Sequence, residues 1–125
     1  MHLNHLGLPV SDERRSQLFY ETYFGFDPAS AHRYPDGTLM IRNADGFDLA
    51  LHTVAHVGPS PEFLHAGFNL ATPDEVRALL TRMERDGVTI VERDDGPGYV
   101  AFKCLDPDGH RIEAAWEEAV IPQDG

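Results

Sequence analysis

Cysteine is almost missing. Cys104 is the only one in 125 residues, so no intrachain disulfide can form and a thiolate cluster for structural zinc is excluded. Any metal must be held by histidine and carboxylate. Long apolar runs are missing too, since none approaches the about 18 residues that a membrane span requires. The first residues lack the basic-then-apolar order of a secretion signal, and the expectation is a cytoplasmic chain with no membrane partner. Cations are scarce as well: ten Lys plus Arg stand against 21 Asp plus Glu, for a net charge of −11. A field of that sign repels phosphate backbones and anionic membrane surfaces, so nucleic acid is not an expected partner. The charge serves either solubility or the attraction of a cationic small molecule.

What is present is a sequence that repeats itself. Residues 3 to 10 alternate, with Leu6, Leu8 and Val10 on one face and His5, Gly7 and Pro9 on the other, as in a half-buried strand. A polar segment opens at Ser11, and Leu18, Phe19, Thr22 and Tyr23 follow at helical spacing until Gly25. The second half gives the same order. Leu64, Ala66, Phe68 and Leu70 alternate with His65, Gly67 and Asn69. A capping box, Thr72-Pro73-Asp74-Glu75, then opens a helix carried by Val76, Leu79, Leu80 and Met83 and closed by Gly87. Strand-type segments follow each helix, at 26–33, 38–43 and 46–54 in the first half and at 88–94, 98–105 and 110–117 in the second, parted by turn residues such as Asp106-Pro107-Asp108-Gly109. Each half reads β-α-β-β-β. The expected organisation is one domain of two modules, 1–56 and 62–120, joined by the Pro- and Gly-containing linker 57–61.

Alternation also sorts the side chains that face away from the helices. Besides His5 and His65, that face receives Asp48 and His52 from 46–54, Tyr99 and Lys103 from 98–105, Glu113 from 110–117, and Asn69. His5 and His65 occupy equivalent places in the repeat, and Glu113 stands where the first module has Ala50. Two histidines and a carboxylate suit a divalent transition metal that keeps positions free for substrate or dioxygen. The plain alternative is a wet polar strand face.

The motifs "HLGLPVSD" at 5–12, "HAGFNLATPDEV" at 65–76 and "FKCLDPDGHRIEAAW" at 102–116 resemble the vicinal oxygen chelate superfamily over nearly the whole chain. That superfamily includes glyoxalase I, fosfomycin-resistance enzymes, extradiol dioxygenases and bleomycin-binding resistance proteins. The resemblance implies an α+β fold in which two tandem β-α-β-β-β modules form a cup-shaped mixed eight-stranded sheet with helices on the convex side, commonly at or beside a homodimer interface. It implies a metal (iron, manganese, zinc or nickel) on His5, His65 and Glu113. Ala50 departs from the four-ligand glyoxalase pattern and argues against that activity. His52, two residues on, is read as a fourth ligand, an acid/base group or a hydrogen-bonded strand histidine. Lys103 stands where fosfomycin-resistance enzymes place a substrate-contacting tyrosine, and is read as holding an anionic substrate group or oxyanion, or as a solvated lysine. Tyr99 is the third candidate catalytic residue. No residues are assigned to an organic cofactor. His2, His32, His56 and His110 are read as surface residues, and Tyr34, Met40 and Phe63 as possible shapers of the pocket.

Two functions follow. The first is a metal-dependent enzyme acting on a small molecule chelated through neighbouring oxygens, with a dioxygenase placed narrowly ahead of a lyase, isomerase or transferase. The alternative is a metal-free resistance protein of the bleomycin-binding type, sequestering a cationic drug. Retention of all three ligand-type residues favours the enzyme.

Overall fold

In the computed structural model, which describes residues 1–119, the chain carries eight strands and two α-helices in two four-stranded mixed sheets, an α+β fold. By internal contacts it divides into two units. The first is Met1–Glu62 with Asp106–His110, and the second is Phe63–Leu105 with the chain from Arg111 onward.

In the first unit β1 (His5–Val10) leads to α1 (Glu13–Tyr23), a 3₁₀ turn (Pro28–Ser30), β2 (His32–Arg33), β3 (Leu39–Arg42) and β4 (Asp48–Thr53). The sheet order is β1-β4-β3-β2, with β1 parallel to β4 and the other pairs antiparallel. Asp12 caps α1 by accepting from the Arg15 amide, and Gly25 follows the helix at φ 69. The core gathers Leu8, Val10, Phe19, Tyr20, Ile41, Leu49 and Leu51, each large apolar side chain contributing about 1.5–3 kcal/mol on burial.

The second unit repeats the plan with β5 (Ala66–Asn69), α2 (Pro73–Arg85), β6 (Ile90–Gly96), β7 (Tyr99–Leu105) and β8 (Arg111–Glu117), ordered β5-β8-β7-β6. The capping box forms: the Glu75 amide donates to Thr72 Oγ1 at 3.2 Å, and the Glu75 carboxylate reaches back to the Ala71 amide at 3.0 Å. Val76 and Met83 of α2 are buried together with Val100, Phe102, Cys104, Ile112 and Ala114. Strand register makes the repeat explicit. Gly7 pairs with Ala50 across the parallel strands of one unit, and Gly67 pairs with Glu113 in the other.

Four expectations need correction. Segment 26–33 is mostly not a strand: Phe26 makes one isolated bridge to Asn43, and Asp27 caps the 3₁₀ turn begun by Pro28, whose missing N–H suits a turn start. On α1, Tyr20 is fully buried while Leu18 stays 45% exposed. Tyr20 can go inside because its hydroxyl donates to the buried carboxylate of Asp106 at 2.6 Å. Leu64, expected on the buried face of the fifth strand, precedes that strand and is exposed. His110, expected at the surface, is buried, with Nε2 2.7 Å from the Pro9 carbonyl and its backbone amide donating to Asp106.

Candidate functional site

In the second unit the sequence-predicted residues converge around Glu113. His65 lies just before β5, and its Nδ1 is 2.8 Å from the carbonyl oxygen of Phe63, a residue at φ 66. A carbonyl only accepts, so Nδ1 carries a proton, and in the neutral ring Nε2 is then bare. That bare nitrogen stands 3.3 Å from Glu113 Oε2. Two lone-pair sites therefore face each other. Such a pair is stable only with a cation or proton between them, and a carbonyl-held Nδ1–H is the usual means of orienting a metal-bound imidazole. The other carboxylate oxygen, Oε1, accepts from the Tyr99 hydroxyl at 3.1 Å.

Lys103 is cross-strand neighbour to Glu113 on one side and to Glu92 on the other, and its Nζ lies 2.6 Å from Glu92 Oε2. A register shift between Ile90 and Glu92 makes this contact. Ile90 pairs with the inward Cys104, whereas Glu92 pairs with the outward Lys103, so the bulge changes which face β6 presents. The bond to Glu92 holds the Lys103 ammonium above its ordinary pKa and the Glu92 carboxyl below its own. Both stay charged at neutral pH. Tyr99 is pushed up by partial burial and then by its bond to Glu113, which keeps the phenol a neutral donor. Glu92, Asp94, Tyr99, Lys103 and Glu113 line a small pocket.

In the first unit His5 and His52 border one open depression of about 510 Å³ together with Gly7, Tyr34, Met40 and Ala50. His5 Nδ1 is 2.7 Å from Asn4 Oδ1, which again leaves Nε2 for another partner. His52 Nδ1 is 3.1 Å from Thr38 Oγ1. Asp48, expected on the same face, is engaged by Arg42, whose Nε and Nη2 donate at 2.7 and 2.9 Å. Asn69 lines a separate groove beside the half-buried Trp116. Phe63 is 81% exposed and contributes its carbonyl rather than its ring.

Among the described residues no three His, Cys, Asp or Glu side chains stand together as a ligand group. The structure assembles His65 with Glu113 as a pair and sets His5 and His52 on the border of one depression. Sequence reasoning missed Asp106 and Asp108 as interior acceptors. Asp106 Oδ1 takes the amides of Asp108 and His110 at 2.9 and 3.0 Å, while Ser11, Arg15 and Ser16 donate to Asp108. The Asp-Pro-Asp-Gly string signals this in part, since Asp opening a turn bonds the backbone two residues on.

The family model described as the Glyoxalase/Bleomycin resistance protein/Dioxygenase superfamily matches residues 2–114. A curated relative, glutathione transferase FosA of Serratia marcescens, is 32% identical over 113 residues, covering 89% of this chain and 77% of that protein. Among solved structures, a possible glyoxalase from Bacillus cereus matches with TM-score 0.76 at 27% identity, covering 91% of this chain and 97% of that one. The fosfomycin resistance protein FosX from Listeria monocytogenes shares the fold at TM-score 0.76 and 18% identity, covering 93% of each chain. No helix among the described residues is long and apolar enough to cross a membrane.

Proposed function

The chain belongs to the Glyoxalase/Bleomycin resistance protein/Dioxygenase superfamily, and we propose that it is a metal-dependent enzyme acting on a small molecule bound through neighbouring oxygens. The ligands are His65 and Glu113, with His5 as the third, for a divalent iron, manganese, zinc or nickel ion. The observation that carries this reading is the His65 Nε2 set 3.3 Å from a Glu113 oxygen with Nδ1 held by a carbonyl, an arrangement that either a ring proton or a bound metal ion completes. Such an ion, when bound, supplies Lewis-acid polarisation of the substrate's oxygens.

The chain's own side chains divide the remaining work. The Tyr99 hydroxyl fixes one Glu113 oxygen and so orients the carboxylate. Lys103 stays protonated, so its role is to hold developing or resident negative charge on the substrate, with Glu92 keeping it in place. Of the reaction types open to this arrangement, addition or transfer of a nucleophile comes first, because the relative at 32% identity is named a glutathione transferase. Dioxygen chemistry comes second. We take the working form to be a homodimer acting in the cytoplasm.

A metal-free drug-binding protein is the competing reading, favoured by the three carboxylates of Glu92, Asp94 and Glu113 lining one pocket and by the net charge of −11. One assay separates the two. The purified chain is loaded with ferrous, manganese, zinc or nickel ion and given fosfomycin with glutathione. The proposal expects metal-dependent loss of free thiol that disappears in Glu113→Gln. No turnover with any metal, together with binding of basic drugs unaltered in Glu113→Gln, would establish the competing reading.

A further inference from the structure

The turn that leads into β5 holds a backbone conformation that its own residue resists. Phe63 has φ 66, and among the described residues it is the one non-glycine with positive φ; Gly25, Gly37, Gly46, Gly87 and Gly109 are the others. A residue with a Cβ is crowded there, and a bulky one most of all. Packing does not compensate, since Phe63 is 81% exposed and its neighbour Leu64 60%. What the conformation gives is one bond: the Phe63 carbonyl accepts from His65 Nδ1 at 2.8 Å. With Nδ1 so held, Nε2 is the ring nitrogen turned to Glu113, 3.3 Å from Oε2. The repeat-related histidine is held differently. His5 Nδ1 is 2.7 Å from Oδ1 of the preceding residue, Asn4. The residue preceding His65 is Leu64, whose side chain has no oxygen, so the acceptor comes from the backbone.

We propose that Phe63 is a positioning residue: its left-handed backbone turns a carbonyl onto His65 and so fixes which ring nitrogen faces Glu113, in place of the side-chain acceptor that Asn4 gives His5. The crowded conformation is kept beside a proposed ligand because it presets the direction of the imidazole. The phenyl ring has no part in this. Glycine would serve as well, since it adopts positive φ without crowding. Proline, locked at φ of about −65°, cannot. In a Phe63→Pro chain, Leu64→Asn would restore an acceptor by the first unit's route. As regards metal, the inference rests on the functional reading above.

The test reads the His65 Nδ1 proton in proton–nitrogen NMR spectra of nitrogen-15-labelled, metal-free full-length chain, at a pH where the ring carries both protons. Under that condition the hydrogen bond, and not the choice of tautomer, decides whether the Nδ1 proton is shielded from exchange with water. The expected result is a slowly exchanging signal in wild type and Phe63→Gly, its loss in Phe63→Pro, and its return when Leu64→Asn is added to Phe63→Pro. A signal missing from the wild type, lost in Phe63→Gly, undiminished in Phe63→Pro or not returned by Leu64→Asn overturns the proposal. If Phe63→Pro fails to fold, Phe63→Val, whose branched Cβ resists the left-handed region, is read in its place. Competition with a coloured chelator then gives the metal affinity, expected to be about 10–100-fold weaker in Phe63→Pro and unchanged in Phe63→Gly. Equal affinity in Phe63→Pro and wild type overturns the positioning role. A wild type that binds no metal counts against the functional reading, while the Nδ1 signal, read without metal, still says yes or no to the hold on His65.

Discussion

Tyr99 and Lys103 show what a single side chain contributes near Glu113. Removing the Tyr99 hydroxyl leaves every proposed ligand in place but frees one Glu113 oxygen. Tyr99→Phe is therefore expected to weaken metal binding by about 10–100-fold, the usual cost of losing a group that orients a ligand. Competition with a coloured chelator measures this, and an unchanged affinity would mean that Tyr99 orients nothing. The histidine and carboxylate positions were legible because the repeat places them: Gly7 against Ala50 mirrors Gly67 against Glu113. The engagement of Lys103 by Glu92 was not legible. It depends on a bulge near Val91, and one inserted residue reverses the face that alternation assigns.

At the scale of elements, helix α1 is tied down by polar contacts as well as by apolar burial. The Tyr20 hydroxyl donates to Asp106, which is 4% exposed. Tyr20→Phe keeps the ring but leaves a buried carboxylate oxygen short of a donor, a loss of about 1–3 kcal/mol. Urea unfolding at constant slope should register it, and a change below about 0.5 kcal/mol would show that water replaces the hydroxyl. Arg33 of β2 binds Glu13 at the start of α1 and holds its carboxyl below the usual range. A depressed folded-state pKa stabilises the protein above the unfolded value of about 4.3, and that stability is lost as pH falls through the folded value. Arg33→Ala should thus lower the urea midpoint at pH 7 and converge with wild type as pH falls through the folded-state value of Glu13. A gap that persists in acid would assign the loss to packing instead. Neither tie could be read from periodicity, because both join residues far apart in sequence. The same holds for His110, whose buried place depends on the Pro9 carbonyl 101 residues away. The 3₁₀ turn at Pro28–Ser30, by contrast, had its signal in Asp27-Pro28, overridden by the strand-type residues around it.

For the whole molecule, the order of elements and both helices were legible because a duplicated β-α-β-β-β pattern leaves few arrangements that bury both apolar faces. The net charge of −11 argues against phosphate backbones and anionic membranes but identifies no partner. A homodimer is the expected assembly, and light scattering on the tag-free chain should give about twice the mass of 13.9 kDa; a monomer at working concentration would refute it. The central claim is that His5, His65 and Glu113 bind one divalent ion, and metal content is its most direct measure. Tag-free wild type, His5→Ala, His65→Ala and Glu113→Gln would each be incubated with ferrous, manganese, zinc and nickel ions, desalted and analysed by elemental mass spectrometry. The account predicts close to one ion per chain in the wild type and loss in all three variants. A wild type that stays empty with every metal, or variants that keep the ion, would contradict it.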